Sequence, residues 1–489
     1  MNKLKLKHLV ACMILAQAPN VFAEDLMTIY QQALEADPES KAAAISMAIT
    51  KEQTGSALSE MLPQISGSAN WSGNTTNNPS NTAVDSKGFN IPNPNDKDTT
   101  DNYNRWILDP NTKYMGTRYY VSLNQTLFDF GKFWNWRRAK TVEEQYGAEN
   151  IEAQHALIHK VVEKYFGVLE AEDQLYFYQT EKNAMAKRLE QTQKQFAKQL
   201  VKITDVYTIE ARLDQLKASE IEAETIVVTA KESLKELTNT PFSDLYKLKD
   251  NVDYKPLDGQ LEQWLEVAKS ENPSLAAQLK AIEAAQTGVT VQKSKFMPVV
   301  DLQLNYYDTD TGFQSSQISK SGSVSTAVGA INVSVPIFDG GSSIHRLYES
   351  EHRLELAKNE NEAKVRALIK ETSDSFLSSN ASVRRIAASR KAVASAAKSS
   401  EATDSGFKLG VGTVTDILNA QQEEFKAKRE LSQAKYAYIK HRARFMRSVG
   451  MITEQNIQEV NTWLQPKAFI PAAPIIEKKE DRTKIKPTV

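Results

Sequence analysis

The stretch FAKQLVKITDVYTIEARLDQL, residues 196–216, has a counterpart further on, FKLGVGTVTDILNAQQEEFKA, residues 407–427. Phe196 stands nine positions before Asp205 of Thr204-Asp205-Val206, and Phe407 stands nine before Asp416 of Thr415-Asp416-Ile417. Each copy opens a ladder of alternating steps of three and four. The first runs through Val206, Ile209, Leu213, Leu216, Glu220, Ala223, Val227, Ala230, Leu234 and Leu237. Shifting by 211 gives Ile417, Ala420, Glu424, Ala427, Leu431, Ala434, Tyr438, His441, Phe445 and Ser448, a less apolar stripe in the same register. Apolar residues recurring about every 3.5 positions make a seam that winds left-handed around a partner helix. Each copy therefore reads as a tight turn opening a long coiled helix.

Upstream of each turn the chain stays helical for a long way. Residues 132–199 hold no proline and only Gly147 and Gly167, which at 1.5 Å per residue predicts a helix roughly 100 Å long. Residues 339–408 predict a second of similar length. Upstream again the period changes to two. Residues 64–71 (QISGSANW), 119–126 (YYVSLNQT), 299–307 (VVDLQLNYY) and 330–335 (AINVSV) read as strands. Tyr119, Val121 and Leu123 share one face against Ser122, Asn124 and Thr126. Leu302, Leu304 and Tyr306 likewise oppose Gln303 and Asn305.

Landmarks repeat in order as well. Pro38 precedes Pro63 by 25 residues, as Pro273 precedes Pro298, and each second strand is followed by Phe-Asp, at Phe128-Asp129 and Phe338-Asp339. The offset is 235 at the prolines and 210 at Phe-Asp, so the first half carries about 25 extra residues, placed in the loop 72–117 with its ten asparagines. The second loop, 308–326, is shorter and Ser-rich. The division expected is a signal peptide 1–23, a first repeat 24–238 with its helical hairpin at 132–238, an equatorial linker segment 239–260, a second repeat 261–450 with its hairpin at 339–449, and a tail 451–489, largely disordered.

Lys3, Lys5 and Lys7, an apolar run over 9–18, and Val21-Phe22-Ala23 before Glu24 form a secretory signal peptide. Its loss takes the formal net charge from −1 to about −4, which gives no basis for nucleic-acid binding. The single cysteine, Cys12, leaves with it, so the exported chain has no thiol chemistry. Leu9-Val10-Ala11-Cys12 is a poor lipidation box, because lysines interrupt what precedes it. No later stretch reaches the roughly 18 apolar residues of a membrane helix. If the chain spans a membrane, it does so with strands. Four strands cannot close a barrel alone, and open edges are not tolerated in lipid, so several copies would have to share one barrel. Phe128, Phe130, Phe133, Trp134 and Trp136, where strand gives way to helix, suit an interfacial aromatic girdle.

Taken together, EDLMTIYQQALEADPE, LPQISGSANW, SLNQTLFDFGK, QLVKITDV, FMPVVDLQLNYY, SVPIFDGG and GFKLGVGTVTDILNAQ, in that order, resemble the TolC-type outer-membrane factors, the outer membrane efflux protein family, over nearly the whole exported chain. The resemblance implies an α+β membrane protein: a homotrimer in which four strands per chain make a 12-stranded β-barrel, continued by a long α-helical periplasmic coiled-coil barrel. It implies an outer-membrane exit duct for a tripartite efflux pump or type I secretion system. Its partners would be a periplasmic adaptor (membrane fusion) protein, an inner-membrane efflux transporter or ABC exporter, and outer-membrane lipid. It implies no cofactor and no enzymatic step.

At the periplasmic entrance the family has two aspartate positions. Asp416 matches the first; the second is Asn419, so a trimer would present one ring of three carboxylates. Thr204 and Asp205 match the family's partners for a tyrosine and an arginine, but those positions are Phe407 and Gly412 here. The departure implies a tip not held shut by those bonds; Lys198, Lys202 and Lys408 are the nearby cations that could substitute. Adaptor docking would use the turns, Leu409-Gly410-Val411 in the second hairpin and Leu200 in the first.

Two rival classes have less support. His155 and His159 lie four apart on one helix face, but no glutamate of a hydrolytic site lies between them and no third ligand is evident. A trimeric coiled-coil adhesin or spacer of the envelope would explain the heptads, but not strands and hairpins in two matching copies.

Overall fold

The computed structural model describes residues 23–77, 111–242, 244–310, 323–409 and 411–466. The expected signal peptide up to residue 22, most of the loop 72–117, much of the loop 308–326, Gly410 and residues 467–489 lie outside the described residues. The first half runs α1 (Leu26–Ala36), α2 (Pro38–Ser59), β1 (Gln64–Asn77), β2 (Asn111–Phe128), α3 (Phe130–Ala197), α4 (Ile203–Thr238) and β3 (Lys247–Leu248). The second runs α5 (Leu261–Glu271), α6 (Pro273–Ser294), β4 (Val299–Asp310), β5 (Ser323–Ser334), α7 (Ser342–Lys408), α8 (Val414–Ser448), α9 (Glu454–Asn461) and β6 (Leu464–Gln465).

The repeated landmarks are capping devices. Asp37 Oδ2 accepts from the Ser40 N–H at 2.8 Å and starts α2, while Asn272 Oδ1 accepts from the Leu275 N–H at 3.1 Å and starts α6. Pro38 and Pro273 follow them at the first helical position, where a missing N–H costs nothing. The two Phe-Asp pairs do the same for the long helices. Asp129 Oδ1 accepts from the Lys132 N–H at 3.1 Å, and Asp339 Oδ2 from the Ser343 N–H at 2.8 Å.

Two compact units can be distinguished, each drawing on both repeats. One takes the described residues of Ile45–Gly147 and Ala277–Ala363 and contains the four-stranded antiparallel sheet β1-β2-β4-β5. Its register pairs Ile65 with Leu123, Leu123 with Leu304 and Tyr306 with Ala327 on one face, and Ser66 with Ser122, Ser122 with Asn305 and Gln303 with Ala330 on the other. The strands run well past the expected 64–71, 119–126 and 330–335, and β4 a little past 299–307. Gly73, Asn74 and Thr75 carry no apolar alternation, yet they continue the ladder opposite Met115, Tyr114 and Lys113. Here the backbone pairing extends further than the side-chain pattern.

The other unit comprises the described residues of Met1–Ala44, Ala148–Ala276 and Lys364–Val489. In it the first ladder is buried at Val206, Ile209, Leu213, Leu216, Ala223, Val227, Leu234 and Leu237, the spacing of a coiled-coil seam. The second is buried at Ile417, Ala427, Ala434, Tyr438, Phe445 and Ser448. The main core gathers Leu26 and Ile29 of α1, Tyr165 and Phe166 of α3, Leu234 of α4, Tyr438 of α8 and Ile457 of α9. The segment 239–260 adds Leu245, Val252 and Tyr254 to it. The first part of 451–489, expected within a largely disordered tail, is ordered, because Ile452, Ile457, Val460 and Leu464 are spaced to bury against this core. β6 pairs with β3, and Asn461 Nδ2 donates to Asp25 Oδ2 at 2.8 Å. Among the described residues no helix is long and apolar enough to cross a membrane.

Candidate functional site

The two hairpin turns close by the same backbone bond. In the first the Leu200 N–H donates to the Gln195 carbonyl at 3.0 Å; in the second the Val411 N–H donates to the Gly406 carbonyl at 3.0 Å. This six-to-one closure places the residue before it in the left-handed region. In the first turn that residue is Gln199, at φ 62°. Its counterpart, Gly410, lies outside the described residues. The turns present their apolar residues outward: Leu200 is 70% exposed, Leu409 80% and Val411 82%.

The aspartates are first of all helix caps. Thr413 Oγ1 accepts from the Asp416 N–H at 3.2 Å, and Asp416 Oδ2 accepts from the Thr413 N–H at 3.0 Å and from its hydroxyl at 2.6 Å. These bonds from Thr413 hold the exposed Asp416 carboxyl below its ordinary range, so it is charged. In the first turn Asp205 Oδ2 accepts from the Lys202 N–H at 3.2 Å. Asn419 and Thr204 are exposed. Among the described residues no hydrogen bond joins Thr204 or Asp205 to Phe407 or Gly412. The Phe407 ring packs instead onto the apolar cluster of Met185, Ile209, Leu213, Leu216, Val414 and Leu418, which takes residues from both hairpins. Gly412 is tightly placed, since a Cβ there would lie 3.3 Å from the Phe407 nitrogen.

Polar links between the hairpins lie above the turns. Asp404 of α7 accepts from Arg188 of α3 and pairs with Lys408 at 2.6 Å; these cations, Lys408 foremost, hold its carboxyl below the ordinary range. Further along, Glu181 of α3 accepts from Arg212 of α4 at 2.9 Å and from Arg429 of α8 at 2.7 Å. The Glu181 side chain is 2% exposed, and the Arg429 guanidinium lies 4.7 Å over the Tyr178 ring. Asp173 accepts from the Ser432 and Tyr436 hydroxyls, both at 2.8 Å, and Glu170 pairs with Lys440 at 2.7 Å. Sequence reasoning missed these residues. The signal was present, because Tyr178, Glu181, Met185 and Thr192 follow the heptad spacing, and a carboxylate on such a stripe must be paired when buried. Of the lysines considered for the latch, Lys408 pairs, among the described residues, with Asp404 on its own helix.

At the foot of the sheet Phe128 and Phe130 rings lie 5.3 Å apart, and Phe133 lies 5.6 Å from Trp134 and 6.0 Å from Trp136. Leu62, Phe296, Ile337 and Phe338 are exposed at the same strand–helix junctions, with Ile337 at 94% and Phe338 at 87%. Phe338 is the repeat mate of Phe128, which could have revealed it. His155 and His159 are on the part of α3 that packs on α8, and burial pushes both imidazoles below their ordinary 6.5.

Comparison with known proteins agrees with this architecture. The family model described as outer membrane efflux protein matches residues 29–240 and 264–451. The chain is 29% identical to the outer membrane protein TolC of Vibrio cholerae, covering 91% of this chain and 95% of that protein. It is 28% identical to the alkaline protease secretion protein AprF of Pseudomonas aeruginosa, covering 92% and 90%. Among solved structures, the outer membrane protein VceC of Vibrio cholerae superposes with a TM-score of 0.70 at 15% identity, over 87% of this chain and 96% of that one. At that identity the likeness speaks for the fold. With a sheet of one apolar and one polar face, two long helical hairpins and a family model covering most of its length, the chain belongs to the outer membrane efflux protein family.

Proposed function

We propose that this outer-membrane protein is the exit duct of a tripartite efflux pump or a type I secretion system, conducting passively what an inner-membrane transporter delivers through a periplasmic adaptor. The observation that carries the reading is the sheet. β1 and β5 are its two ends, so each has an outer edge of N–H and C=O groups that lipid could not satisfy. Pairing β5 of one copy with β1 of the next removes both edges, and three copies close twelve strands. The apolar face, with Ile65, Trp71, Val121, Tyr306, Ile331 and Val333 exposed on the single chain, would meet lipid. The polar face would line a wet lumen. The girdle residues Phe128, Phe130, Phe133, Trp134 and Trp136, joined by Phe338, would sit at the periplasmic interface.

At the other end the Asp416 carboxylates of three copies would ring the entrance, with Asn419 supplying no second ring. Leu200, Leu409, Gly410 and Val411 would meet the adaptor. The chain's role needs no covalent step and no cofactor. The test is fractionation followed by planar-bilayer recording of the purified protein. A heat-modifiable outer-membrane trimer with a small cation-selective conductance, made less selective by Asp416→Ala, is expected. A folded trimer that never conducts would overturn the duct and favour an envelope spacer.

A further inference from the structure

Below the sheet, and within the same compact unit, a cavity of about 790 Å³ is lined by all four helices that adjoin the strands: α2, α3, α6 and α7. Its walls carry three arginines against two glutamates. Arg138 comes from α3, and Arg346 and Arg353, about two turns apart, from α7. Two acids share the space, Glu60 and Glu349, and Glu349 is committed to Arg353 at 2.6 Å. Arg138 is held in place. Its Nη2 donates to Asn135 Oδ1 at 2.9 Å, and its Cδ lies 3.8 Å from where a Cβ of Gly288 would stand, so the stem crosses α6 where that helix has no side chain. Arg138 and Arg346 thus add charge that no described acid in the cavity takes up by an ion pair. A guanidinium fixed at its stem presents a planar fork of N–H donors, the geometry that binds phosphate or carboxylate oxygens in pairs.

We propose that this cavity is an anion-binding vestibule that takes solutes bearing a phosphate, sulfonate or carboxylate group. The inference rests on the duct reading for its setting, since a four-helix concave wall faces the lumen only if the chain forms the tunnel. Arg138 and Arg346 supply the attraction, and Arg353 is restrained by Glu349. In a trimer the arrangement occurs three times around one lumen, so polyvalent anions gain most.

The experiment is single-channel recording of the full-length trimer with inorganic pyrophosphate as the probe. Pyrophosphate is expected to reduce the current through the native protein in a concentration-dependent way. Arg138→Gln with Arg346→Gln should weaken that block by on the order of tenfold, a loss of about 1.4 kcal/mol. Glu349→Gln, which releases Arg353, should strengthen it. Equal block of the native and the double-arginine proteins, or weaker block by Glu349→Gln, would overturn the vestibule while leaving the duct standing. Absence of conductance from native, heat-modifiable trimers would overturn both.

Discussion

Glu181 is where a single substitution should say most about how the hairpins are held together. Its carboxylate is 2% exposed and bridges Arg212 of its own hairpin and Arg429 of the other, whose side chains are 19% and 16% exposed. Glu181→Gln keeps the shape and removes the charge, leaving two guanidinium groups facing each other across a neutral amide. Removing one partner of a buried ion pair costs about 3–5 kcal/mol. Water can still reach both arginine heads, so the low end, about 3 kcal/mol, is the expected value. At 1.4 kcal/mol per decade that is on the order of a hundredfold in the packing equilibrium. The two arginines separate the contributions. Arg429→Ala cuts the link between hairpins, whereas Arg212→Ala cuts only a link within the first. Conductance in planar bilayers should therefore rise with Arg429→Ala and Glu181→Gln, but not with Arg212→Ala. Urea unfolding of all three should show the loss of stability. Arg429→Lys controls for the Tyr178 stacking, which adds about 0.5–1 kcal/mol. A double-mutant cycle between Glu181 and Arg429 isolates the pair. Equal conductance of Arg212→Ala and Arg429→Ala, or a coupling energy near zero, would refute the reasoning.

Three further outcomes can be measured directly. Gln199→Gly should stabilise the first turn by about 0.5–1 kcal/mol, because a side chain at φ 62° is strained while glycine is not, less the entropy glycine gains when unfolded; amide exchange at residues 198–202 would show it. Gly450→Ala should cost several kcal/mol, since φ is 73° and a Cβ would clash with the Glu271 carbonyl oxygen; the urea midpoint is the readout. Burial holds His159 below 6.5, so the unfolded chain binds its proton first and this part of the stability, complete above about pH 6.5, is lost as pH falls toward the folded value. His159→Gln should flatten the decline in urea midpoint between pH 7.5 and 5, and an unchanged slope would assign that decline to other groups.

Much of the fold was legible because the determinants are periodic and occur twice. The ladder from Val206 to Leu237 is buried at eight of the ten positions named from spacing alone, the exceptions being Glu220 and the half-buried Ala230. Glu220 stays at the seam by pairing with Lys182 at 2.6 Å, a partner 38 positions away that no local pattern points to. Strand ends were less legible, because in β1 beyond Trp71 the ladder of backbone bonds, and not apolar burial, sets the length. The order of residues 452–464 was hidden for another reason. Five apolar residues among polar ones resemble a tail until a core exists to receive them, and that core is assembled from α1, α3 and α8.

The tip shows why a family pattern and the physics of one chain must be read together. The pattern locates Thr204, Asp205, Phe407 and Gly412, but two of these have no group to bond with. Phe407 gives its ring to the cluster around Met185 and Val414, so the position still joins hairpins, by apolar burial in place of a hydroxyl bond. Gly412 has little room for any side chain beside the Phe407 backbone, so a long donor there would need the turn to shift. The charged contacts between the hairpins lie above the turns, at Arg188–Asp404 and at Glu181 with its two arginines, where partial burial makes an ion pair worth more than at an exposed turn. Exposed links at a tip yield to salt and solvent. Links one to several turns above it, backed by an apolar cluster, hold more firmly and leave Leu200, Leu409 and Val411 exposed on the turns.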